Sequence, residues 1–320
     1  QAAYEGGVRR VLMANQLVGK QNMSIISSLL VDSTFEFFCL VDSIENVNQL
    51  GKYFKETEQC LNVLLEVGMN DARTGVRDES QRDAVLTAIR QWPDNLMLAG
   101  VEVFEGVLSE EQSVRTLLQR VAEWTVKLVD NKDIRYRPAI LTGAGSAWYD
   151  VVAEEFDKVV GNRTDVEIVL RPGCYLSHDA GTYKTAQEKI LQRNPIAKQI
   201  GQGLRPALHI WAYVQSIPES NRAIISMGKR DVAFDAGYPM PSLHYRSGWA
   251  EPRKMEDNIW EVTGLMDQHA FMRIREGDDL RVGDMIAFDI SHPCLTFDKW
   301  KYILIVDTNF TVIDIAETYF

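Results

Sequence analysis

The sequence lacks an excess of positive charge, a long apolar run and any closely spaced pair of cysteines. It has 34 Lys and Arg against 45 Asp and Glu, and the resulting net charge of −11 would repel a nucleic-acid backbone. Apolar stretches such as Phe35 to Val41 are far shorter than the roughly 20 residues of a membrane-spanning helix. We therefore expect a protein that binds neither nucleic acid nor membrane.

The four cysteines, Cys39, Cys60, Cys174 and Cys294, are spread along the chain with no Cys-x-x-Cys spacing. This pattern is typical of reduced thiols, so we expect a cytoplasmic protein. With 320 residues, of which 46% are hydrophobic, the chain is long enough for two domains or for one barrel with an additional domain.

From residue 10 to about residue 200, short apolar runs alternate with stretches of helical periodicity. The predicted strands are Arg10–Ala14, Phe35–Val41, Asn62–Val67, Leu98–Val103, Pro138–Thr142 and Glu167–Leu170. The predicted helices are Lys20–Leu30, Ile44–Lys55, Ser80–Trp92, Glu110–Val129, Ala147–Val160 and Thr185–Ile200. Apolar strands that alternate with helices predict a parallel sheet of the α/β class.

Six such units fit a doubly wound sheet, whereas a β/α barrel needs eight, and the pattern alone supports the two architectures equally. After residue 203 the sequence changes to short alternating segments split by Gly, Pro and Asp, which predicts a mainly antiparallel β domain. The predicted domains are residues 1–202 and 203–320.

Small residues follow the fifth predicted strand, in the order Thr142, Gly143, Ala144, Gly145 and Ser146. Backbone N–H groups and hydroxyls of such a loop can hold a single phosphate at a helix N-terminus. The spacing matches neither the dinucleotide fingerprint nor the P-loop. A tight turn capped by Ser146 explains the same residues equally well.

Two residue types that bind zinc occur in the segment Ser291-His292-Pro293-Cys294, at the end of another predicted strand. Residues two apart in an extended chain point to the same face, so the imidazole and the thiolate can share one ion. A structural cysteine beside a surface histidine is the alternative. His269 could lie nearby, although a packed histidine of the β domain explains it as well.

Arg171 and Tyr175 follow the last predicted strand of the βα pattern, where parallel sheets and barrels bind ligands. Arg171 can pair with a carboxylate or phosphate, and Tyr175 can hydrogen-bond a ligand, but a Pro-Gly turn with a buried tyrosine also explains this segment. Arg73 lies between Gly68 and Gly75 and is either a ligand-binding residue or an exposed loop arginine.

Nine segments, in order along almost the whole chain, resemble the fold-type III pyridoxal phosphate enzymes, specifically the D-serine dehydratase and D-threonine aldolase-like amino acid deaminases. They are residues 14–19, 41–47, 68–75, 104–106, 142–146, 171–179, 228–231, 267–270 and 291–298, of which the last, SHPCLTFD, is the most specific. Phe104, where many relatives carry Tyr, and Asp267-Gln268-His269-Ala270 depart from the family pattern and leave the substrate open.

The resemblance implies an α/β fold: a (β/α)8 barrel of the alanine racemase type, here with about six βα units, followed by a C-terminal mainly antiparallel β domain. The six units correspond to the third to eighth of the family barrel, and the family's Schiff-base lysine belongs to a unit before Gln1. No lysine of this sequence takes that role. We therefore expect an N-terminally incomplete chain whose catalytic lysine is absent.

The resemblance also implies two cofactors, pyridoxal 5'-phosphate and zinc. The predicted coenzyme-binding residues are Thr142, Gly143, Ala144, Gly145, Ser146, Tyr175, Arg73, Asn15 and Gln16; Arg171 and His269 are the predicted substrate contacts, and His292 and Cys294 match the family's zinc ligands. The implied activity is deamination of D-serine or a related D-hydroxy amino acid in a homodimer. D-threonine aldolase, a metal-free racemase and a non-catalytic binding protein are the alternatives.

Overall fold

The computed structural model describes residues 1–255 and 259–319. The chain forms two compact units, Gln1–Pro172 and Gly173–Phe320. The boundary therefore lies about 30 residues before the predicted one near residue 202. The reason is that the segment after Pro172 bonds to the β domain, with Ala180 N–H donating to the Ile290 carbonyl at 3.0 Å and Ala207 N–H to that of Ser177 at 2.8 Å.

The first unit alternates parallel strands with helices, as the apolar pattern predicts. Its strands are β1 (Arg10–Gln16), β2 (Glu36–Val41), β3 (Leu61–Val67), β4 (Leu96–Val103), β5 (Ala139–Gly143) and β6 (Val166–Leu170). Its helices are α1 (Ala2–Glu5), α2 (Lys20–Leu29), α3 (Ile44–Glu56), α4 (Glu79–Arg90), α5 (Glu111–Asp130) and α6 (Tyr149–Val160). Ser43 and Asp78 cap α3 and α4 by accepting backbone N–H bonds, which explains where these helices begin.

The six strands pair in sequence order, from β1 to β6. A doubly wound sheet would reverse its strand order at a switch point, so this order is that of part of a barrel. The sheet also curves, because Arg10 in β1 and Glu167 in β6 form an ion pair of 3.0 Å although these strands are not paired. The predicted barrel-type α/β fold is confirmed.

Two apolar layers cover the faces of this sheet. The main core packs the helices on one face and includes Val101, Val103 and Phe156. A smaller cluster on the other face contains Leu64 and Ile140. Side chains at the carboxyl ends of the strands thus lie directly beyond a packed apolar layer, as ligand-binding residues do in β/α barrels.

The second unit is mainly an antiparallel β domain, as predicted. Its helices are α7 (Thr182–Arg193), α8 (Pro195–Ile200) and α9 (Pro293–Phe297). Its strands are β7 (His209–Glu219), β8 (Arg222–Ile225), β9 (Met240–Tyr245), β10 (Arg253–Lys254), β11 (Glu261–Leu265), β12 (Ala270–Arg273), β13 (Met285–Asp289), β14 (Tyr302–Val306) and β15 (Val312–Glu317). Strands β7 to β13 form one sheet in the order β10-β9-β13-β7-β8-β12-β11, and β14 pairs with β15. Within residues 1–255 and 259–319, no helix has the length and apolarity needed to cross a membrane.

Candidate active site

A polar layer crosses the inner face of the first unit near the carboxyl ends of its strands. Glu66 of β3 is the register partner of Glu102 of β4, which in turn is the partner of Thr142 of β5. The strand period of two places all three on the same face as Leu64 and Ile140. All three are buried, so two carboxylates and a hydroxyl lie side by side out of water.

Arg171 joins this layer from the end of β6. Its Nε donates to the Thr142 hydroxyl at 2.9 Å, and its Nη2 donates to Oε1 of Glu102. Burial raises the pKa of Glu102 to about 7, an effect that the nearby Glu66 carboxylate reinforces and that Arg171 opposes. The predicted substrate contact is therefore a guanidinium already held by two neighbours.

Glu66 is bonded from the opposite side of the layer. Gln16, at the end of β1, donates its side-chain amide to Oε2 of Glu66, and the Thr74 hydroxyl donates to Oε1 at 2.7 Å. Asn15 accepts the N–H of Gln16 at 3.0 Å and is exposed. The Arg73 guanidinium lies 4.2 Å above the ring centre of Phe104.

The structure thus places two hydrogen-bonded groups side by side in this layer, Gln16 with Glu66 and Arg171 with Thr142 and Glu102. A small cavity beside it is lined by Glu66, Arg73 and Phe104.

The small-residue loop after β5 is an anion-binding turn, and the first unit itself supplies the anion. Ala144 has a φ of 79°, and its N–H and that of Gly145 donate to the two carboxylate oxygens of Glu105 at 3.2 and 2.7 Å. Burial raises the pKa of Glu105, while these amide bonds lower it. Helix α6 begins at Tyr149 with Trp148 at its N-cap, so Ser146 does not cap it.

Replacing Glu105 by alanine is expected to lower the free energy of unfolding by about 2 kcal/mol, because one buried and one partly buried N–H group lose their acceptor. Denaturant titration measures the loss. The matched control is Glu110→Ala, which removes an exposed carboxylate that makes no capping bond to α5 and should change stability by less than about 0.5 kcal/mol. Equal stability of the two variants would contradict a structural role for Glu105 in the loop.

The two predicted zinc ligands lie in the second unit, after β13. His292 has extended backbone angles and its Nδ1 is 2.8 Å from Oδ2 of Asp235. Cys294 is exposed and lies in the first turn of α9. The predicted extended geometry for this pair is therefore wrong beyond His292, because Pro293 starts a short helix. No group of three or more His, Cys, Asp or Glu suited to a metal occurs among the described residues.

The remaining predicted site residues also lie in the second unit. Tyr175 ends a 3₁₀ turn over Gly173–Tyr175 and is half exposed. His269 lies in the turn between β11 and β12, where its carbonyl accepts the Met266 N–H at 2.8 Å. Tyr183 is an additional neighbour of Cys294: burial, together with the Cys174 and Cys294 thiols, raises the pKa of its hydroxyl to about 12.

Glu66, Glu102 and Glu105 are site residues that were not predicted from the sequence. A signal was present for the first two, because each is the single charged residue of a mainly apolar strand and lies next to its carboxyl end. A charge in a strand that is buried on both faces needs partners, and in a parallel sheet those partners lie at the ligand-binding end.

Known proteins resemble this chain in sequence. Residues 207–306 match the family model described as "Putative serine dehydratase domain". A D-threonine aldolase from Arthrobacter sp. is 22% identical over 311 residues, which are 94% of this chain and 71% of the aldolase.

Solved structures agree in fold. The D-threonine aldolase of Filomicrobium marinum has a TM-score of 0.77 and 18% identity, and the alignment covers 98% of this chain and 77% of that enzyme. The D-threo-3-hydroxyaspartate dehydratase of Delftia sp. HT23 has a TM-score of 0.72 and 15% identity, covering 99% of this chain and 81% of that enzyme. A cysteine-to-alanine variant of such a dehydratase, solved in its metal-free form, has a TM-score of 0.71. This chain therefore has the fold of these enzymes and is similar in sequence to the D-threonine aldolase.

The residues of the first unit fit a phosphate ester of an aromatic aldehyde. The loop after β5 has amides oriented to bind an anion; those of Ala144 and Gly145 bind the Glu105 carboxylate, which a phosphate at these two amides would have to displace. A Cβ at Gly145 would lie 3.0 Å from the Phe104 ring, so a larger residue would crowd this loop. Oε2 of Glu102 is buried without a hydrogen-bond partner among the described residues.

Zinc fits a donor set in the second unit. In a metal-ligating histidine, the ring nitrogen that does not bind the metal commonly forms a hydrogen bond with a carboxylate. Nδ1 of His292 forms such a bond with Asp235. The exposed Cys294 supplies a thiolate, the ligand type that zinc favours.

Proposed function

We propose that this protein is a pyridoxal phosphate-dependent lyase that deaminates D-serine, or a related D-amino acid with a β-hydroxyl group, to a 2-keto acid and ammonia. The carrying observation is the match of 94% of the chain to a D-threonine aldolase, joined by the serine dehydratase match over residues 207–306. The position of the polar layer supports this proposal, because the layer lies at the strand ends where β/α barrels bind ligands.

When bound, pyridoxal phosphate supplies an electron sink for a carbanion at the amino acid's α-carbon. We assign its phosphate to residues 142–146 and Tyr175, and its ring or the substrate to Asn15, Gln16 and Arg73. Arg171 and His269 are the proposed substrate contacts. Since Thr142 and Glu102 already hold Arg171, it can receive a carboxylate without first being ordered.

We further propose that His292 and Cys294 bind a zinc ion that acts as a Lewis acid on the substrate's β-hydroxyl group. Two protein ligands leave coordination positions for water and substrate, as catalytic zinc sites do. The metal-free form of the dehydratase variant that lacks a cysteine supports this assignment. Asp235 would fix the His292 ring and increase its basicity.

Two outcomes follow from activation of the β-hydroxyl group. If the α-proton leaves and hydroxide follows, D-serine gives pyruvate and ammonia. If the hydroxyl is deprotonated instead, the Cα–Cβ bond breaks and D-threonine gives glycine and acetaldehyde. We favour deamination because the family model that covers His292 and Cys294 is named for serine dehydratase; aldol cleavage is the alternative that the aldolase relatives support.

We also propose that the protein is a cytoplasmic homodimer. None of the four cysteines forms a disulfide bond in the described structure, which agrees with a reducing compartment. Dimerisation is proposed by analogy, and light scattering of the purified protein tests it.

The experiment that tests the function incubates the full-length protein, with pyridoxal phosphate and zinc, with D-serine, D-threonine or D-threo-3-hydroxyaspartate. Keto acid and ammonia are expected from D-serine, whereas acetaldehyde and glycine from D-threonine would indicate the aldolase alternative. Absence of keto acid, ammonia and aldehyde with all three substrates would overturn the proposal. Formation of L-serine alone would identify a racemase.

A further inference from the structure

The polar layer contains two buried carboxyl groups, of which one is bonded to a guanidinium. Glu66 and Glu102 are register partners on β3 and β4, with 4% and 2% of their surfaces exposed. Arg171 bonds to Glu102, and the other nearby guanidinium, that of Arg73, is exposed and stacked on Phe104. Two ionised carboxylates would therefore leave an excess negative charge out of water, which is unfavourable.

Whether Glu66 or Glu102 keeps a proton depends on the hydrogen-bond donors around each carboxyl group. Both oxygens of Glu66 accept bonds from neutral donors, the Gln16 amide and the Thr74 hydroxyl, and these bonds stabilise its ionised form. Glu102 accepts only at Oε1, from Arg171, and its buried Oε2 has no partner among the described residues. Protonation of Oε2 removes the charge at the atom that has least to stabilise it.

We propose that Glu102 is a neutral carboxylic acid below neutral pH, that it positions Arg171, and that its ionisation adds a negative charge beside an anionic ligand bound at the strand ends. The identity of that ligand, pyridoxal phosphate, rests on the proposed function. Glu102 is thus a positioning residue for Arg171 whose protonation state tunes the affinity of the site for the coenzyme.

The affinity of the site for the coenzyme should fall as the pH rises. The groups that face Glu102 are Glu66 from β3, Arg73 from the loop that follows, Thr142 from β5 and Arg171 from the end of β6. The pKa of about 7 agrees with the donor arrangement. As the pH rises through this value, Glu102 gains a negative charge, and the affinity for an anionic phosphate ester should fall.

A direct test uses protein labelled with ¹³C at the glutamate side-chain carboxyls. The Glu102 resonance, assigned by its loss in Glu102→Gln, should titrate with a midpoint near pH 7. The matched control is Glu155, a buried carboxylate of α6 that pairs with Arg115 and Lys158 and whose pKa is lowered. A Glu102 midpoint below pH 5 would overturn the inference, whether or not the protein binds the coenzyme.

A second test measures pyridoxal phosphate affinity at pH 6 and pH 8 by protein fluorescence. The affinity of the wild type relative to Glu102→Gln should fall about tenfold over this range, the order expected for one buried charge near an anion. Glu155→Gln should follow the wild type. Equal pH dependence in wild type and Glu102→Gln contradicts the inference about Glu102. Failure of every variant to bind the coenzyme contradicts the proposed function instead, and the resonance titration then tests the inference about Glu102 by itself.

Discussion

Replacing Cys294 by alanine is expected to release the bound zinc and to lower turnover of D-serine by at least about 100-fold. A metal ion that polarises a leaving hydroxyl group lowers the activation barrier by several kcal/mol, and each 1.36 kcal/mol changes the rate tenfold. The fold should be unaffected, because the Cys294 side chain is exposed and is not part of the β-domain core. Metal analysis and steady-state kinetics measure the two effects.

The matched control for this prediction is Cys60→Ala, which removes the other exposed cysteine, at the start of β3. It should keep its zinc and its activity. His292→Ala should behave like Cys294→Ala, and the double variant should lose no more activity than either single one, since one missing ligand already empties the site. A Cys294→Ala protein that is fully active without metal would refute the zinc assignment and favour a racemase, which needs no metal.

Replacing Gly100 by alanine is expected to lower the free energy of unfolding by more than about 3 kcal/mol. Gly100 lies on the inner face of β4, between Leu64 of β3 and Ile140 of β5. A Cβ there would overlap the Ile140 carbonyl oxygen and lie within 3 Å of two more backbone atoms of that residue. Because backbone cannot rotate away as a side chain can, the strands must separate. Thermal or denaturant unfolding measures the loss.

Gly173→Ala is the control, because it adds the same methyl group at a position that has space for it. A Cβ at Gly173 has no neighbour within 4 Å and its φ is not in the left-handed region, so the change in stability should stay below about 1 kcal/mol. An unchanged unfolding midpoint for Gly100→Ala would mean that β4 and β5 are not packed as closely as described.

Much of the fold could be predicted because its signals are local. The apolar runs match β1 to β6 to within a few residues, and the caps Ser43 and Asp78 mark helix starts. The single predicted helix Thr185–Ile200 is two helices, α7 and α8, because Asn194 caps the second and Pro195 occupies its first turn. That signal was present in the sequence, and Pro293 marks the start of α9 in the same way.

The site was predictable only where a single segment carries it. The loop after β5 was found as an anion-binding turn, but its partner Glu105 lies about 40 residues earlier and is brought to it only by the fold. Glu66 and Glu102 become neighbours through strand register, which no local pattern specifies. For the same reason, the hydrogen bonds that hold Arg171 could not be predicted from its position after β6.

The alignment of Glu66, Glu102 and Thr142 on three adjacent strands also penalises mispaired sheets. Side chains alternate between the faces of a strand, so sliding β4 by one residue would turn Glu102 toward the helices, where Val101 and Val103 now pack. A carboxylate stranded in that apolar layer would be strongly unfavourable. Folding fidelity and ligand chemistry therefore constrain the same side chains, and a variant selected for altered specificity here should be screened for misfolding as well.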